Sequence, residues 1–409
     1  MLKIALINTV VDRGGAGRIV ADIHRTIHDA GHSSFVFYGR GRQPDDESMM
    51  KFSDELGVLI HGAGSRLFDA QGLLSLRATH RLIKLLTQFE PDVVHLHNAH
   101  GYYLNFPLFF NYLKEQSLPL VWTLHDCWPF TGHCAHFEYV GCDRWKIGCG
   151  SCPQTREYPA TFLDRSRANY EKKRSSFTSL SKCRIVAPSQ WLKNHIDQSF
   201  LKDYQNLVIN NGVDLEVFNR IPGATFFGDL TKDGKKIILG VASIWNKKKG
   251  VEVFAELSHL LHAGERLVLV GKMSKHLRQT FSENVVLIDR VDDLAALAKL
   301  YSLANVFVNP TFEDTFPTTN LEALACGLPV VTFPTGGSPE TINFRYGSVC
   351  SPTALGALKA ARSFYVLDAE VVAEECRAHA VKNFNKWDRF QEYIQVYKEL
   401  VNDKDLMYD

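Results

Sequence analysis

Pro310-Thr-Phe-Glu-Asp314-Thr-Phe-Pro-Thr-Thr-Asn-Leu-Glu322-Ala-Leu-Ala-Cys-Gly327-Leu-Pro329 sets two carboxylates, Asp314 and Glu322, eight positions apart. The preceding Val306-Phe-Val-Asn309 reads as a buried strand and residues 310–317 as the loop beyond its carboxyl end. A helix is predicted from near Thr319 to Gly327, with Pro329 after it. Open α/β sheets bind ligands beyond the carboxyl ends of their strands, so this loop is where a ligand is expected. There Asp314 can accept hydrogen bonds from sugar hydroxyls, Glu322 from a ribose, and free N–H groups at the helix start can face a diphosphate. The same residues spell a capping box, Thr319-Asn-Leu-Glu322, in which Glu322 only satisfies an orphan N–H of the first turn. The local pattern leaves both readings open.

Working outward, apolar runs at residues 3–8, 35–38, 93–97, 120–124 and 185–187 alternate with helical stretches. A second series follows at 237–241, 267–270, 285–288, 306–308 and 330–333. Alternation of this kind predicts parallel sheets with crossover helices, and 409 residues suit two α/β domains of roughly 200 each. The junction is expected near Asn210-Asn-Gly-Val-Asp214, giving domains 1–208 and 209–386. After them, residues 387–401 place Phe390, Tyr393, Ile394, Tyr397 and Val401 on one helical face.

Hydrophobic content of 45%, charged content of 22% and a net charge of +1 exclude a disordered chain and give no bulk attraction for nucleic acid. The opening run Met1-Leu-Lys-Ile-Ala-Leu-Ile-Asn8 is shorter than a signal sequence, and no stretch approaches the ~20 apolar residues that span a bilayer. A cytoplasmic protein is expected, at most peripheral on the inner face of the membrane.

Several further groups carry chemistry. Asp12-Arg-Gly14-Gly15-Ala-Gly17 opens onto a helix with Ile19, Val20, Ile23 and Ile27 on one face. It can let backbone approach phosphate or be no more than a tight turn, and it lacks the third Gly of the dinucleotide pattern. His24 and His28 on that helix read as solvated. Lys247-Lys248-Lys249-Gly250 follows the first strand of the second series, where cations can offset charge on a leaving diphosphate. The alternative is a solvated turn. His125, after Thr123-Leu124, ends a strand of the first series. Thr335-Gly336-Gly337 follows a strand of the second and can form an anion nest.

Nine cysteines are an odd number. Cys134, Cys142, Cys149 and Cys152 cluster in one loop and end in a Cys-x-x-Cys pair, a spacing suited to a tetrahedral structural zinc. Four unlinked thiols or a labile disulfide are the alternative. His133 and His136 are spare ligands that read as solvated.

With these residues in view, the chain resembles the family 4 retaining glycosyltransferases, whose signature is a carboxylate, seven residues, Glu, then Ala-Leu-Ala and Gly-x-Pro-Val. Here it runs from Asp314 to Glu322, Ala323-Leu-Ala325 and Gly327-Leu-Pro-Val330, with Asp314 where Glu is usual. The resemblance implies the GT-B fold, two doubly wound, Rossmann-like α/β domains facing across a cleft, with the terminal helix 387–409 packing back on the first. It implies that Asp314 holds the transferred sugar and Glu322 the ribose, and that Lys249-Gly250 contacts the diphosphate, with Lys248 beside it and Ser243 where a companion Arg is expected. Phe316, Pro317, Thr318, Gly337 and the Gly14-Gly15 pair complete the donor set, and His125 lies beside the sugar. Asp314, His125 and Lys249 are thereby the candidate catalytic residues.

The implied activity is transfer with retention, by same-face attack within a short-lived ion pair, with no cofactor or divalent metal for catalysis. The partners it implies are a nucleoside-diphosphate sugar and a glycan or lipid-linked acceptor. Thr-Leu-His-Asp-x-Trp at 123–128 and the cysteine loop are similar to bacterial exopolysaccharide and O-antigen enzymes of the colanic-acid type. A GT-B sugar-nucleotide epimerase or hydrolase would use the same donor pocket, whereas a non-catalytic zinc-stapled sugar-nucleotide-binding protein, the other alternative, would not need Asp314, Glu322, Lys249 and His125 together.

Residues 67–89 set Leu73, Leu74, Leu76, Leu82, Ile83, Leu85 and Leu86 beside Arg66, Arg77, Arg81 and Lys84, and Lys172-Lys173-Arg174 forms a second basic set. Weak contact with an anionic membrane surface is one expectation, and a core helix with solvated charges the other.

Overall fold

The computed structural model describes residues 1–11, 13–221, 230 and 232–402. Asp12 of the glycine run and residues 403–409 of the terminal segment lie outside them. The chain divides into two compact units, Met1–Asn210 with Trp387–Asp409, and Asn211–Lys386.

The first unit is built on strands β1 (Lys3–Asn8), β2 (Ser33–Tyr38), β3 (Met49–Lys51), β4 (Val93–Leu96), β5 (Leu120–Thr123), β6 (Cys183–Ala187) and β7 (Gln205–Val208). They form one parallel sheet in the order β3-β2-β1-β4-β5-β6-β7, with Ile4 opposite Val93 in the β1–β4 register. A parallel sheet is covered on both faces, which is why its central strands are apolar almost without interruption. On one face lie Ile19, Val20, Ile23 and Ile27 of the helix Gly14–Asp29 together with Phe390, Tyr393 and Tyr397. The latter sit on the helix Lys386–Asn402, whose residues from Trp387 onward belong to this unit. The Tyr397 hydroxyl lies 2.6 Å from His95 Nδ1, and the Thr123 hydroxyl donates to Tyr393 at 3.1 Å. The other face is aromatic, with Phe106, Phe110, Trp122, Trp128 and Phe177 fully buried.

The second unit carries β8 (Lys236–Ile244), β9 (Glu265–Lys272), β10 (Val285–Ile288), β11 (Val306–Asn309), β12 (Val330–Thr332) and β13 (Gly347–Val349). These also form a parallel sheet, in the order β10-β9-β8-β11-β12-β13. Val251, Phe254, Ala357 and Leu358 cover one face, and Tyr301, Leu321, Leu324 and Cys376 the other.

Each sheet reverses its winding once, between β1 and β4 in the first and between β8 and β11 in the second. Such switch points open a crevice at the carboxyl ends of the strands. The Gly14-Gly15 turn follows β1, the lysine turn Lys247–Lys249 follows β8, and the acidic loop 310–317 follows β11. Three strands, β3, β7 and β13, were not predicted, and all three are sheet edges.

Candidate active site

The second unit's site starts at the lysine turn. The Asn246 side chain accepts from the Lys249 N–H at 3.0 Å and fixes a single 3-10 turn, Lys247–Lys249. Gly250 ends it with φ +73°, and a Cβ there would stand 2.2 Å from the Pro310 carbonyl oxygen, so only glycine lets the turn press against the loop after β11. The Phe312 N–H donates to the Lys248 carbonyl at 2.7 Å. The side chains then pair in parallel: Lys249 Nζ lies 2.7 Å from Asp314 Oδ2, and Lys248 Nζ 2.9 Å from Glu313 Oε2. Lys249 and Asp314 are partly exposed, whereas Glu313 is buried and its Oε1 has no hydrogen-bond partner.

The loop is folded around Asp314. Its Oδ1 accepts from the Phe316 N–H at 3.2 Å, and its carbonyl accepts from the Gly337 N–H at 3.3 Å. Gly336, at φ +55°, passes so close that a Cβ would lie 1.7 Å from the Asp314 oxygen. The Thr335–Gly337 turn is thus stacked on the acidic loop. Pro317 caps the helix Thr318–Ala325 without a side-chain bond, and the helix begins one residue earlier than predicted.

That start removes the capping-box alternative, because Thr319 lies inside the first turn. Glu322 is instead buried, with Oε2 accepting from the Tyr301 hydroxyl at 3.0 Å. A short polar chain behind the helix was not foreseen. Asn309 Nδ2 donates to Asn320 Oδ1 at 2.8 Å, and Asn320 Nδ2 to the Thr341 hydroxyl at 2.9 Å, tying the strand end, the helix and the following turn together.

In the first unit, Gly14 and Gly15 open the helix Gly14–Asp29 and are exposed, with no side-chain cap on its first turn. His125 stacks on His97 with ring centroids 5.2 Å apart, and His97 Nδ1 lies 2.9 Å from His125 Nε2. Burial holds His125 down at about 4, so the imidazole is neutral at neutral pH. Beside it, His100 Nε2 lies 2.7 Å from Asp126 Oδ2 and His100 Nδ1 3.0 Å from the Tyr158 hydroxyl. Burial works to raise the Asp126 carboxyl, but the His100 ring and the hydrogen bonds from His100 and the Trp128 N–H outweigh it and leave it at about 2. His100, Asp126 and Tyr158 were missed because His100 follows β4 while the other two sit far apart on the long connection after β5, with no spacing that links them.

Three expectations are corrected. His133, read as solvated, is buried with Nδ1 2.7 Å from Asp69 Oδ1. His24 is buried between the Ser34 and Ser48 hydroxyls, at 2.7 and 2.9 Å, rather than solvated. Lys173 does not belong to a surface basic set. It is buried, donates to the Trp128 and Thr131 carbonyls at 2.7 and 3.0 Å, and is pulled down to about 7 by that burial.

The helix Leu76–Phe89 turns Leu82 and Leu86 inward, while Arg77, Arg81 and Lys84 stay exposed. The neighbouring helix Glu55–Phe68 is reversed: it buries His61 and Ser65 and exposes Leu56, Leu59, Ile60 and Leu67, the first three by 66, 68 and 59%. His61 packs on Tyr102 at 5.8 Å, and Tyr102 on Tyr158 at 6.3 Å, so this helix adjoins the His100–Asp126 group. Among the described residues no helix is long and apolar enough to cross a membrane.

Cys134, Cys142, Cys149 and Cys152 line one small cavity together with His133.

Residues 13–217 match the family described as Glycosyltransferase Family 4, and residues 235–362 that described as Glycosyl transferases group 1. Over 375 residues, 86% of this chain and 87% of the other, the chain is 26% identical to a protein of Escherichia coli (strain K12) provisionally named colanic acid biosynthesis glycosyl transferase WcaC. Over 182 residues, 43% of this chain and 48% of the other, it is 25% identical to the N,N'-diacetylbacillosaminyl-diphospho-undecaprenol alpha-1,3-N-acetylgalactosaminyltransferase of Campylobacter jejuni subsp. jejuni. The structure of Anabaena Alr3699/HepE in complex with UDP and glucose superposes with a TM-score of 0.67 at 16% identity, over 98% of this chain and 100% of that one. The fold is GT-B.

Proposed function

We propose that this chain, which belongs to glycosyltransferase family 4, moves a hexosyl group with retention from a nucleoside-diphosphate sugar to a glycan or lipid-linked saccharide in the assembly of a bacterial surface polysaccharide. The observation that carries the reading is the Lys249–Asp314 pair, 2.7 Å apart, on the two turns that flank the switch point of the second sheet. One group of the pair suits a diphosphate and the other the hydroxyls of the sugar attached to it.

In this reading Lys249, with Lys248 beside it, offsets the charge that grows on the diphosphate as the glycosidic bond breaks. Asp314 turns from Lys249 toward sugar hydroxyls, and the Thr318 N–H at the start of its helix faces the phosphates, while Phe316 and Gly337 hold the Asp314 loop in shape. Pro317 leaves that helix start without a side-chain cap. Glu322 takes the ribose hydroxyls from its position beside Tyr301. Within the first unit, Gly14-Gly15 supplies a helix start without a side-chain cap, and neutral His125 is a ring able to hydrogen-bond a sugar hydroxyl.

Retaining hydrolases that form a covalent intermediate hold two carboxyl groups about 5–5.5 Å apart. Asp314 is tied to a lysine and serves binding rather than attack, which favours same-face displacement with the leaving phosphate taking the acceptor proton. The names of the two relatives, one assigned to colanic acid and one to a diphospho-undecaprenol acceptor, support a surface polysaccharide and a lipid-linked acceptor. The HepE complex supports a nucleotide-sugar donor.

The exposed apolar face of Glu55–Phe68, with exposed Arg66 on the same helix, favours weak peripheral contact with an anionic bilayer at the inner face of the membrane. A thermal-shift screen of UDP-, GDP-, ADP- and dTDP-sugars tests the donor claim, since a ligand at ~100 times its Kd adds about 2.7 kcal/mol. Stabilisation by none of them would count against it, and donor consumption unchanged by acceptor would mark a hydrolase or epimerase.

A further inference from the structure

Residues 124–165, between β5 and the helix Ser166–Phe177, hold no strand and only two single-turn 3-10 helices, Trp128–Phe130 and Arg144–Lys146. A connection this long with so little backbone pairing needs another means of keeping one shape. Its four cysteines, Cys134, Cys142, Cys149 and Cys152, are free thiols that converge on a single cavity. The Gly132 N–H donates to Cys149 Sγ at 3.1 Å, and the Cys134 thiol hydrogen-bonds to Cys152.

His133 is the independent observation. It is 2% exposed and lines the same cavity. Its Nδ1 lies 2.7 Å from Asp69 Oδ1, while its buried Nε2 has no hydrogen-bond partner. A buried ring nitrogen without a partner is costly unless something in the cavity receives it. Behind the thiols sits the buried Lys173, with Nζ 3.4 Å from the Trp128 ring centroid. Four thiolates around one dication leave two negative charges, which a buried site must compensate with cations and N–H donors. Lys173 and the Gly132 N–H supply them, with the His133 ring, held by Asp69, lining the same cavity.

We propose that Cys134, Cys142, Cys149 and Cys152 hold one structural Zn2+ ion, with His133, oriented by Asp69, turning its Nε2 to a ligand sulfur. Among the described residues no three His, Cys, Asp or Glu side chains already stand in a metal-binding arrangement. The four sulfurs therefore close in on the cavity they share by side-chain rotation, toward zinc–sulfur distances of about 2.3 Å. The ion staples the segment that carries Asp126, Trp128 and Tyr158, and so fixes one wall of the His100 group.

The test does not depend on transfer activity. Protein purified without a metal-affinity tag or chelator is expected to contain about one zinc per chain by elemental analysis, released by a thiol-specific mercurial. Cys149→Ser and Cys152→Ser are each expected to lose the metal and lower Tm, and His133→Ala to weaken zinc retention while leaving four titratable thiols. If the cysteine variants do not fold, the native protein decides. A folded native chain with less than about a tenth of an equivalent of zinc, whose Tm is unmoved by added zinc or by a zinc chelator, overturns the proposal. Full zinc content in both Cys149→Ser and Cys152→Ser overturns it equally.

Discussion

Lys249 Nζ and Asp314 Oδ2 stand 2.7 Å apart although the residues belong to different crossover turns. Gly250 permits that approach by letting the lysine turn press on Pro310, and Gly336 stacks a third turn on the Asp314 backbone. A partly exposed ion pair contributes little to stability, so its value lies in what each partner does when a ligand separates them.

Lys249→Ala should therefore leave Tm nearly unchanged and slow transfer by about 10²–10³-fold in kcat, the range for removing one preorganised charge-stabilising group. Donor Kd should change far less, because diphosphate charge grows as the bond breaks. Steady-state kinetics with calorimetric donor binding separate the two. Equal losses in affinity and kcat would remove the proposed role.

Glu322→Gln keeps an acceptor for the Tyr301 hydroxyl and loses the charge. Donor affinity should fall by about 10-fold or more, since hydrogen bonds to charged groups contribute about 1.5–3 kcal/mol. Glu322→Ala should in addition melt earlier, because Tyr301 loses a buried partner. Normal donor binding by both variants would make Glu322 a purely structural residue.

Acid should weaken the first unit in a defined window. Burial holds His24, His61 and His125 down at about 4 and His95 at about 3, against 6.5 when unfolded. The unfolded chain then binds more protons than the folded one, so stability is full above pH 6.5 and falls as pH drops toward 4. Asp126, lowered to about 2, loses its contribution only below 3.8, outside that window. Tm measured from pH 7.5 to 4.5 should decline steadily below 6.5. A flat profile would mean that these rings are not neutral and buried.

The reversed helix Glu55–Phe68 gives a surface prediction. Co-sedimentation with vesicles containing anionic lipid should capture the protein at low salt and release it as salt rises, since charge attraction is screened over about 8 Å at 0.15 M. Leu56→Ser/Leu59→Ser/Ile60→Ser should abolish capture, and Lys172→Ala should not. Capture unaffected by the triple substitution would place the contact elsewhere.

Sequence periodicity carried the two sheets because ten of their strands have apolar runs that a parallel sheet buries on both faces. It missed Met49–Lys51, Gln205–Val208 and Gly347–Val349, short edge strands whose pattern is diluted by polar residues or glycine. The loop after β11 was legible down to Asp314 and Glu322, because the carboxylates and the following helix occupy one short stretch. His100, Asp126, Tyr158 and the Asn309–Asn320–Thr341 chain were not, since tertiary folding alone brings them together. Lys173 and His133 look like solvated loop and helix residues in the sequence, and only burial reveals their partners.

The most direct measurement follows the anomeric proton of the product by NMR during turnover of a nucleoside-diphosphate sugar, chosen by thermal shift, with an acceptor extract from a polysaccharide-producing bacterium. Acceptor-dependent release of nucleoside diphosphate, a product with the donor's anomeric configuration, and loss of both signals in Asp314→Ala are expected. An inverted product, or unchanged transfer by Asp314→Ala, would contradict the proposed function.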